Sequence, residues 1–349
     1  MNSMRRTLLK LFGAAGATAV SYPALALADR IRILPDAGAT NPPTLEGQTS
    51  PELTRTLLRG LSLGAAATQG AISVLWLRAK ETAGPPALEV LTFEESRARG
   101  AVTVVERAQA SVPELIAENR GKTYVLLLAG EILIGGKQNR VLREDLLLPP
   151  RSGPRNISVY CVEQGRWSEV RPDFDSRSSV VQPGVRAQLF GRAEQSQIWS
   201  GVAAASRRLA APSPTGSYQA VYEKPEVQAH LDTATRAPEM TAAPGAVGAS
   251  VFVGQDLAGV DAFHSPGLFS REWPKLLRAY ALDAYGRSPS GWDETAGRAR
   301  TEGLLRGAAG VPGTLRGNAG AGRLLEFSLD GRRGAALVFE GAVIHLAIV

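Results

Sequence analysis

Between residues 71 and 162 the apolar positions fall in short runs with turn residues between them. The runs are 72–77 (Ile-Ser-Val-Leu-Trp-Leu), 102–106, 114–118, 124–128, 132–134, 142–148 and 157–162. Asn119-Arg120-Gly121, Gly130 and the turn-rich 149–154 stretch punctuate them. Short strands at this spacing predict an antiparallel sheet or sandwich. Around them, 51–63 reads as a short helix or turn and 91–96 as the start of a short helix. The second half has a different texture. Residues 182–209 and 218–233 are helical in pattern, although Gly184, Gly191 and Gly201 weaken the case for one unbroken helix in the first. Residues 246–261 predict a β-hairpin around Gly254-Gln255-Asp256. The strongest helical signal is 266–285, where Phe269, Trp273, Leu276, Leu277, Tyr280 and Ala284 share one face. Pro274 inside it must kink the helix or mark the first turn of its main segment, and Gly286 ends it. Residues 324–329 and 335–349 read as strands around the Asp330-Gly331 turn. The expectation is an α+β fold: a β-rich, antiparallel, sandwich-like first half, then a mixed helical and β-hairpin second half. It forms one domain over 51–349, with a division into a β-rich 51–170 and an α/β 171–349 as the alternative. No repeat of 20–50 residues is present.

The first 28 residues have another pattern. Arg5-Arg6-Thr7-Leu8-Leu9 precedes a moderately apolar stretch over 11–20, Pro23 breaks it, and Ala26-Leu27-Ala28 offers a small-x-small cleavage site. This predicts a twin-arginine-type signal peptide, with a general secretory signal as the plainer reading, and hence a periplasmic or secreted protein. The apolar stretch is shorter than the ~20 residues a membrane span needs, so no stable anchor is expected after cleavage. Residues 29–50, rich in Pro, Gly, Thr and Asn, read as an extended lead-in.

Charge adds little. The formal net charge is +6, three of the basic residues lie in the leader with no acid beside them, and the mature chain is left at about +3. No run of five like charges occurs, so nucleic acid is not an expected partner. The single cysteine, Cys161, cannot close an internal disulfide, and a chain this long buries enough surface to hold its core by packing. Three scattered histidines give no zinc-type spacing, and the Asp173-x-Asp175 pair lacks the rest of a cation loop. With no Walker loop, dinucleotide glycine fingerprint or Gly-x-Ser-x-Gly elbow, neither metal nor cofactor is expected.

Two polar blocks stand out. The first is Gly130-Glu131 followed by Gly135-Gly136-Lys137-Gln138-Asn139-Arg140. Glycines permit close backbone approach, and four long polar side chains in succession offer many donors to an anionic or amide-rich group. A β-turn with solvent-facing polar residues is the alternative. The second is Cys161-Val162-Glu163-Gln164-Gly165-Arg166-Trp167, in which Cys161 reads best as a core residue, since no base lies near it in sequence.

These blocks resemble the ARG- and rhodanese/phosphatase-superfamily-associated protein domain, an uncharacterised family. The resemblance continues through Ser213-Pro214-Thr215-Gly216 with Val221-Tyr222-Glu223, Asp261, Trp273-Pro274-Lys275-Leu276-Leu277 and Tyr280-Ala281-Leu282-Asp283, covering roughly 50–345. Gly135-Gly136 stands where Gly-Ala is usual, and 143–145 replaces a small, uncharged stretch. The family's name implies association with ADP-ribosylglycohydrolases and with rhodanese or phosphatase folds, which points toward nucleotide or ADP-ribose biology by analogy alone.

Three functions follow as expectations. The leading one is an exported protein binding a small polar or anionic ligand, nucleotide- or sugar-like. Lys137, Gln138, Asn139, Arg140, Gln164 and Arg166 would contact it, Trp167 would stack on it, and Glu131 and Glu163 would orient the donors. The second is a hydrolase of a glycosidic or phosphoester bond with Glu131 or Glu163 as general base. The third is a structural or protein-interaction domain whose polar blocks tie its layers together.

Overall fold

The computed structural model describes residues 51–80, 88–108, 111–289 and 291–349; the leader and the 29–50 lead-in lie outside these residues. The chain opens with α1 (Pro51–Gly60), β1 (Leu61–Gln69), β2 (Ile72–Ala79), β3 (Val90–Thr92), α2 (Phe93–Ala98), β4 (Val102–Val105) and β5 (Glu114–Asn119). Next come β6 (Tyr124–Leu127), β7 (Glu131–Gly135), β8 (Arg140–Leu142), β9 (Leu146–Leu148), β10 (Gly153–Cys161) and β11 (Phe174–Val180). Helices α3 (Pro183–Phe190), α4 (Gln195–Arg208), α5 (Gln219–Glu223) and α6 (Pro225–Arg236) then lead to β12 (Ala246–Val253) and β13 (Asp256–Phe263). The chain ends with α7 (Pro266–Ala284), α8 (Glu294–Gly310), β14 (Gly313–Gly317), β15 (Arg323–Leu329), β16 (Arg332–Phe339) and β17 (Ala342–Ile348). The fold is α+β.

Among the described residues, three sheets organise it. An eight-stranded antiparallel sheet runs β1-β2-β12-β13-β17-β16-β15-β14, so the first two strands pair into a sheet otherwise built by the last third of the chain. Residues 90–180 supply the other two, a six-stranded sheet β11-β7-β8-β10-β5-β4 and a three-stranded sheet β3-β6-β9. The core shared by these two includes Phe93, Val104, Leu115, Val125, Leu133, Leu148 and Phe174.

Both faces of the large sheet are buried, which explains the unbroken apolar run of β2. Val74 and Trp76 point into a core shared with Phe269, Trp273, Leu276 and Tyr280 of α7. Leu75 and Leu77 point the other way, into a core closed by Leu58 of α1 and by Leu304, Leu305 and Ala308 of α8. Trp76 meets Trp273 edge-on at 5.3 Å. Tight turns set the register: Asp330 and Gly331 both adopt positive φ between β15 and β16, as a two-residue hairpin turn requires. Helix α7 starts at Ser265, whose hydroxyl accepts from the Leu268 N–H, with Pro266 at its first position.

The structure refines several sequence readings. The 142–148 run is two strands, β8 and β9, because Arg143-Glu144-Asp145 turns the chain between them. The 182–209 segment is two helices, broken at Gly191 and at Arg192, which has φ 53°. The 218–233 segment divides ahead of Pro225, which has no N–H to continue the first helix. Pro274 lies within the continuous span of α7.

Candidate functional site

The first polar block straddles a hairpin. Strand β7 ends at Gly135, residues 136–139 turn, and β8 begins at Arg140, which lies directly across from Cys161 of β10. Gly136 has φ 49°, and a Cβ there would lie 2.3 Å from the Phe174 ring and 2.6 Å from Glu106 Oε1. The loop after β10 folds back on this turn, with the Gly136 N–H donating to Arg171 O at 3.0 Å and the Val170 N–H to Gly136 O at 3.2 Å.

Glu163 is the hub joining the blocks. Its Oε2 accepts from Asn139 N–H at 3.0 Å and from Arg166 Nε and Nη2 at 2.9 and 2.6 Å; Oε1 accepts from Thr215 Oγ1 at 2.7 Å. Arg166 also donates to the carbonyls of Gly136 and Ser168 at 2.8 and 2.9 Å, and to Asn139 Oδ1 at 3.1 Å. Asn139 Nδ2 reaches Ser217 Oγ at 3.1 Å. Burial alone would raise the Glu163 carboxyl, but the bonds from Arg166, Asn139 and Thr215 outweigh it and hold it below its ordinary value. Gln138 donates from Nε2 to Gln164 O and accepts from Arg140 Nη1 at 3.1 Å. Asn139, Gln138 and Arg166 are therefore committed to protein partners, and Gln164 is exposed.

What stays open is the outer layer. Arg140 is completely buried, yet among the described residues its Nε and Nη2 have no hydrogen-bond partner; the counter-charge of Glu106 Oε1 is 3.7 Å from Nη2. Burial depresses the guanidinium below its ordinary pKa, and Glu106 opposes this only in part. Trp167 covers it, its ring centroid 5.9 Å from Arg140 Cζ and 5.5 Å from Lys137 Nζ. Trp167 is 51% exposed and Val170, in the same loop, 64% exposed; these are the exposed large hydrophobic side chains among the described residues. Apolar surface set beside unsatisfied cationic donors is what a ligand site with one stacking face needs.

Glu131 is not part of this cluster. It lies fully buried at the start of β7, paired with Lys275 of α7, whose Nζ also contacts Glu272 Oε2 at 2.6 Å and Glu94 Oε2 at 3.0 Å. Burial pushes the Glu131 carboxyl up to about 8 against the pull of Lys275. Sequence reasoning also missed a second buried network. Arg186 of α3 forms a bidentate pair with Asp261 at 2.8 and 3.1 Å, and the Tyr280 hydroxyl donates to Asp261 Oδ2 at 2.5 Å. His345 bridges Asp261 and Asp145, with Nε2 to Asp261 Oδ1 at 3.1 Å and Nδ1 to Asp145 Oδ2 at 2.7 Å. Asp173 and Asp175 answer to Arg97 and Arg171. Cys161 is fully buried, as its pattern suggests, and its Sγ accepts from Glu163 N–H at 3.4 Å.

The model of one protein family, the ARG and Rhodanese-Phosphatase-superfamily-associated Protein domain, ARPP-1, matches residues 60–349. The chain belongs to this family. No curated protein and no solved structure gives a significant match. The ARPP-1 match takes in the Arg140–Trp167 site and both buried networks. The turn at Gly135-Gly136, the Glu163 hub and the Lys275 cluster are thus features of the ARPP-1 domain as this chain builds it.

Proposed function

We propose that this ARPP-1 protein binds a small anionic ligand, nucleotide- or sugar-phosphate-like, at the surface formed by Lys137 and Trp167 over the buried Arg140. The observation that carries the reading is the buried Arg140, with two nitrogens, Nε and Nη2, unpartnered among the described residues beneath a half-exposed indole. An orphaned buried donor is costly, so a site that retains one is built to have it completed by something else. Lys137 adds a positive charge beside the indole, and Trp167 a flat face for a base or sugar ring. Glu163, Arg166 and Asn139 hold the loop in place. The binding reading is favoured over hydrolysis by how the acids are used. Glu163 has both oxygens occupied and a lowered pKa, and Glu131 is enclosed, so neither offers the accessible lone pair of a general base.

A thermal-shift screen with nucleotides, ADP-ribose, sugar phosphates and inorganic phosphate tests the proposal. A ligand at 100 times its Kd adds about 2.7 kcal/mol, a shift of roughly 5 °C for a chain of this size. The shift should vanish in Lys137→Ala, with the unliganded melting temperature little changed, and in Arg140→Met, which also frees Gln138 and Glu106 of their partner. Binding that survives both substitutions would sink the assignment. The leader sequence extends the proposal to a ligand met outside the cytoplasm. Cell fractionation should find the wild-type chain in the periplasm or medium and the Arg5→Lys, Arg6→Lys chain retained in the cytoplasm; equal export of both would remove the twin-arginine route.

A further inference from the structure

Lys275 and its three carboxylates make an unusual set. Glu131 and Glu272 are fully buried and Lys275 nearly so, while Glu94 stands at the rim and accepts from Ser176 Oγ at 2.7 Å. Among the described residues, Glu131 Oε2 and both oxygens of Glu272 have no hydrogen-bond partner, although Glu272 Oε2 lies 2.6 Å from Lys275 Nζ. Three carboxylates face one ammonium, and the excess is relieved when the enclosed Glu131 is the neutral acid. Glu131 and Glu272 expose no surface and Lys275 only 3%, so water has little access to these three. An ammonium, a carboxyl and a second carboxyl are thus held in contact in a dry interior, which is the arrangement amide formation needs.

We propose that Lys275 and Glu131 condense into an intramolecular isopeptide bond, with Glu272 as the proton acceptor. Burial keeps Glu131 as the neutral acid. Against the pull of the surrounding carboxylates, which favour the ammonium, Glu272 takes one proton from Lys275, and the freed amine lone pair attacks Cδ of Glu131. The Nζ–Cδ bond forms. The Cδ–hydroxyl bond breaks, and the hydroxyl departs as water with a second proton from the nitrogen. The third proton stays on the amide. Glu272 ends as a neutral carboxyl that donates its O–H to the new amide carbonyl and accepts from the amide N–H. The product places no net charge in the interior and partners the orphaned oxygens that the ion cluster leaves bare. Its benefit to the fold is that of a disulfide. It ties β7 to α7 across 144 residues of sequence in a chain whose single cysteine cannot close a bridge.

Intact-mass spectrometry of the purified full chain, followed by tandem analysis of a protease digest, tests this. Wild-type protein should be lighter by one water than its processed sequence requires. The digest should contain a branched peptide joining the segments of Glu131 and Lys275. Lys275→Arg should weigh its full sequence mass. Glu272→Gln should also regain the water while keeping wild-type circular dichroism, which separates loss of the reaction from loss of the fold. Wild-type protein at its full mass would overturn the proposal without reference to any variant. So would a water loss that persists in Lys275→Arg or maps elsewhere, and a bond retained in Glu272→Gln would overturn the role of Glu272.

Discussion

Gly136 shows how one missing side chain shapes the candidate site. Its φ of 49° lies in the left-handed region, and the space a Cβ would take is filled by Phe174 and by Glu106 Oε1. Glu106 in turn accepts from the Lys137 N–H at 3.0 Å and supplies a counter-charge to Arg140. Backbone conformation, turn and buried cation are therefore set together. Gly136→Ala should cost about 1–2 kcal/mol for the left-handed backbone and a similar amount for the overlap with Phe174. A lowered urea midpoint with an unchanged m-value would report it. A variant as stable as wild type would mean that the turn relaxes freely and does not position Arg140. Glu131 makes the opposite point about proximity in sequence. It stands six residues before Lys137, yet it lies at the far end of β7, roughly 13 Å from the Gly135 end at ordinary strand rise, and its partner is on α7.

At the scale of elements, legibility followed amphipathic pattern. Helix α7 could be read because its buried positions repeat at helical spacing, and the β12–β13 and β15–β16 hairpins because glycine marks their turns. Strand β3 reads in sequence as the start of helix α2, and four further elements were passed over, for different reasons. Strand β1 is Leu-Ser-Leu followed by Gly and three alanines, residues of low strand preference that pair through their backbone with β2. Strand β11 reads Phe-Asp-Ser-Arg-Ser-Ser-Val and is placed by its pairing with β7. Strand β14, with a glycine at each end, is carried on the edge by β15. Helix α8 holds four glycines, yet it buries Leu304, Leu305 and Ala308 against the sheet, so tertiary packing outweighs its poor intrinsic propensity. The site was legible to the same extent. The two polar blocks do meet, because Cys161 pairs with Arg140 across strands. Which of their side chains would be used up in holding the loop was not legible, since Thr215 and Ser217 complete the Glu163 hub from more than 50 residues away.

Across the whole molecule, the His345 network joins parts that local pattern cannot connect. Asp145 comes from the turn between β8 and β9, Asp261 from β13, His345 from β17, Arg186 from α3 and Tyr280 from α7, and Glu272 adds its field from nearby. Burial would lower the His345 pKa, but the two aspartates outweigh it and raise it from 6.5 to about 9, so the imidazolium is the folded form at neutral pH. The folded state therefore binds a proton more tightly than the unfolded chain does. The stabilisation is fully present below the unfolded value of 6.5 and is lost as pH rises through about 9, a span worth up to about 3 kcal/mol. His345→Gln has no titrating group at this position, so the stability gap between wild type and variant should narrow steadily from pH 6.5 to pH 9. Urea titrations of the two chains across that range would measure the gap. Nitrogen-edited NMR of the wild type supplies a direct reading that needs no variant, with both His345 ring nitrogens protonated at pH 8. A neutral ring at that pH, or a gap that does not move with pH, would mean that the aspartates do not hold the proton. The layers would then be joined at this point by the bonds of Arg186 and Tyr280 to Asp261.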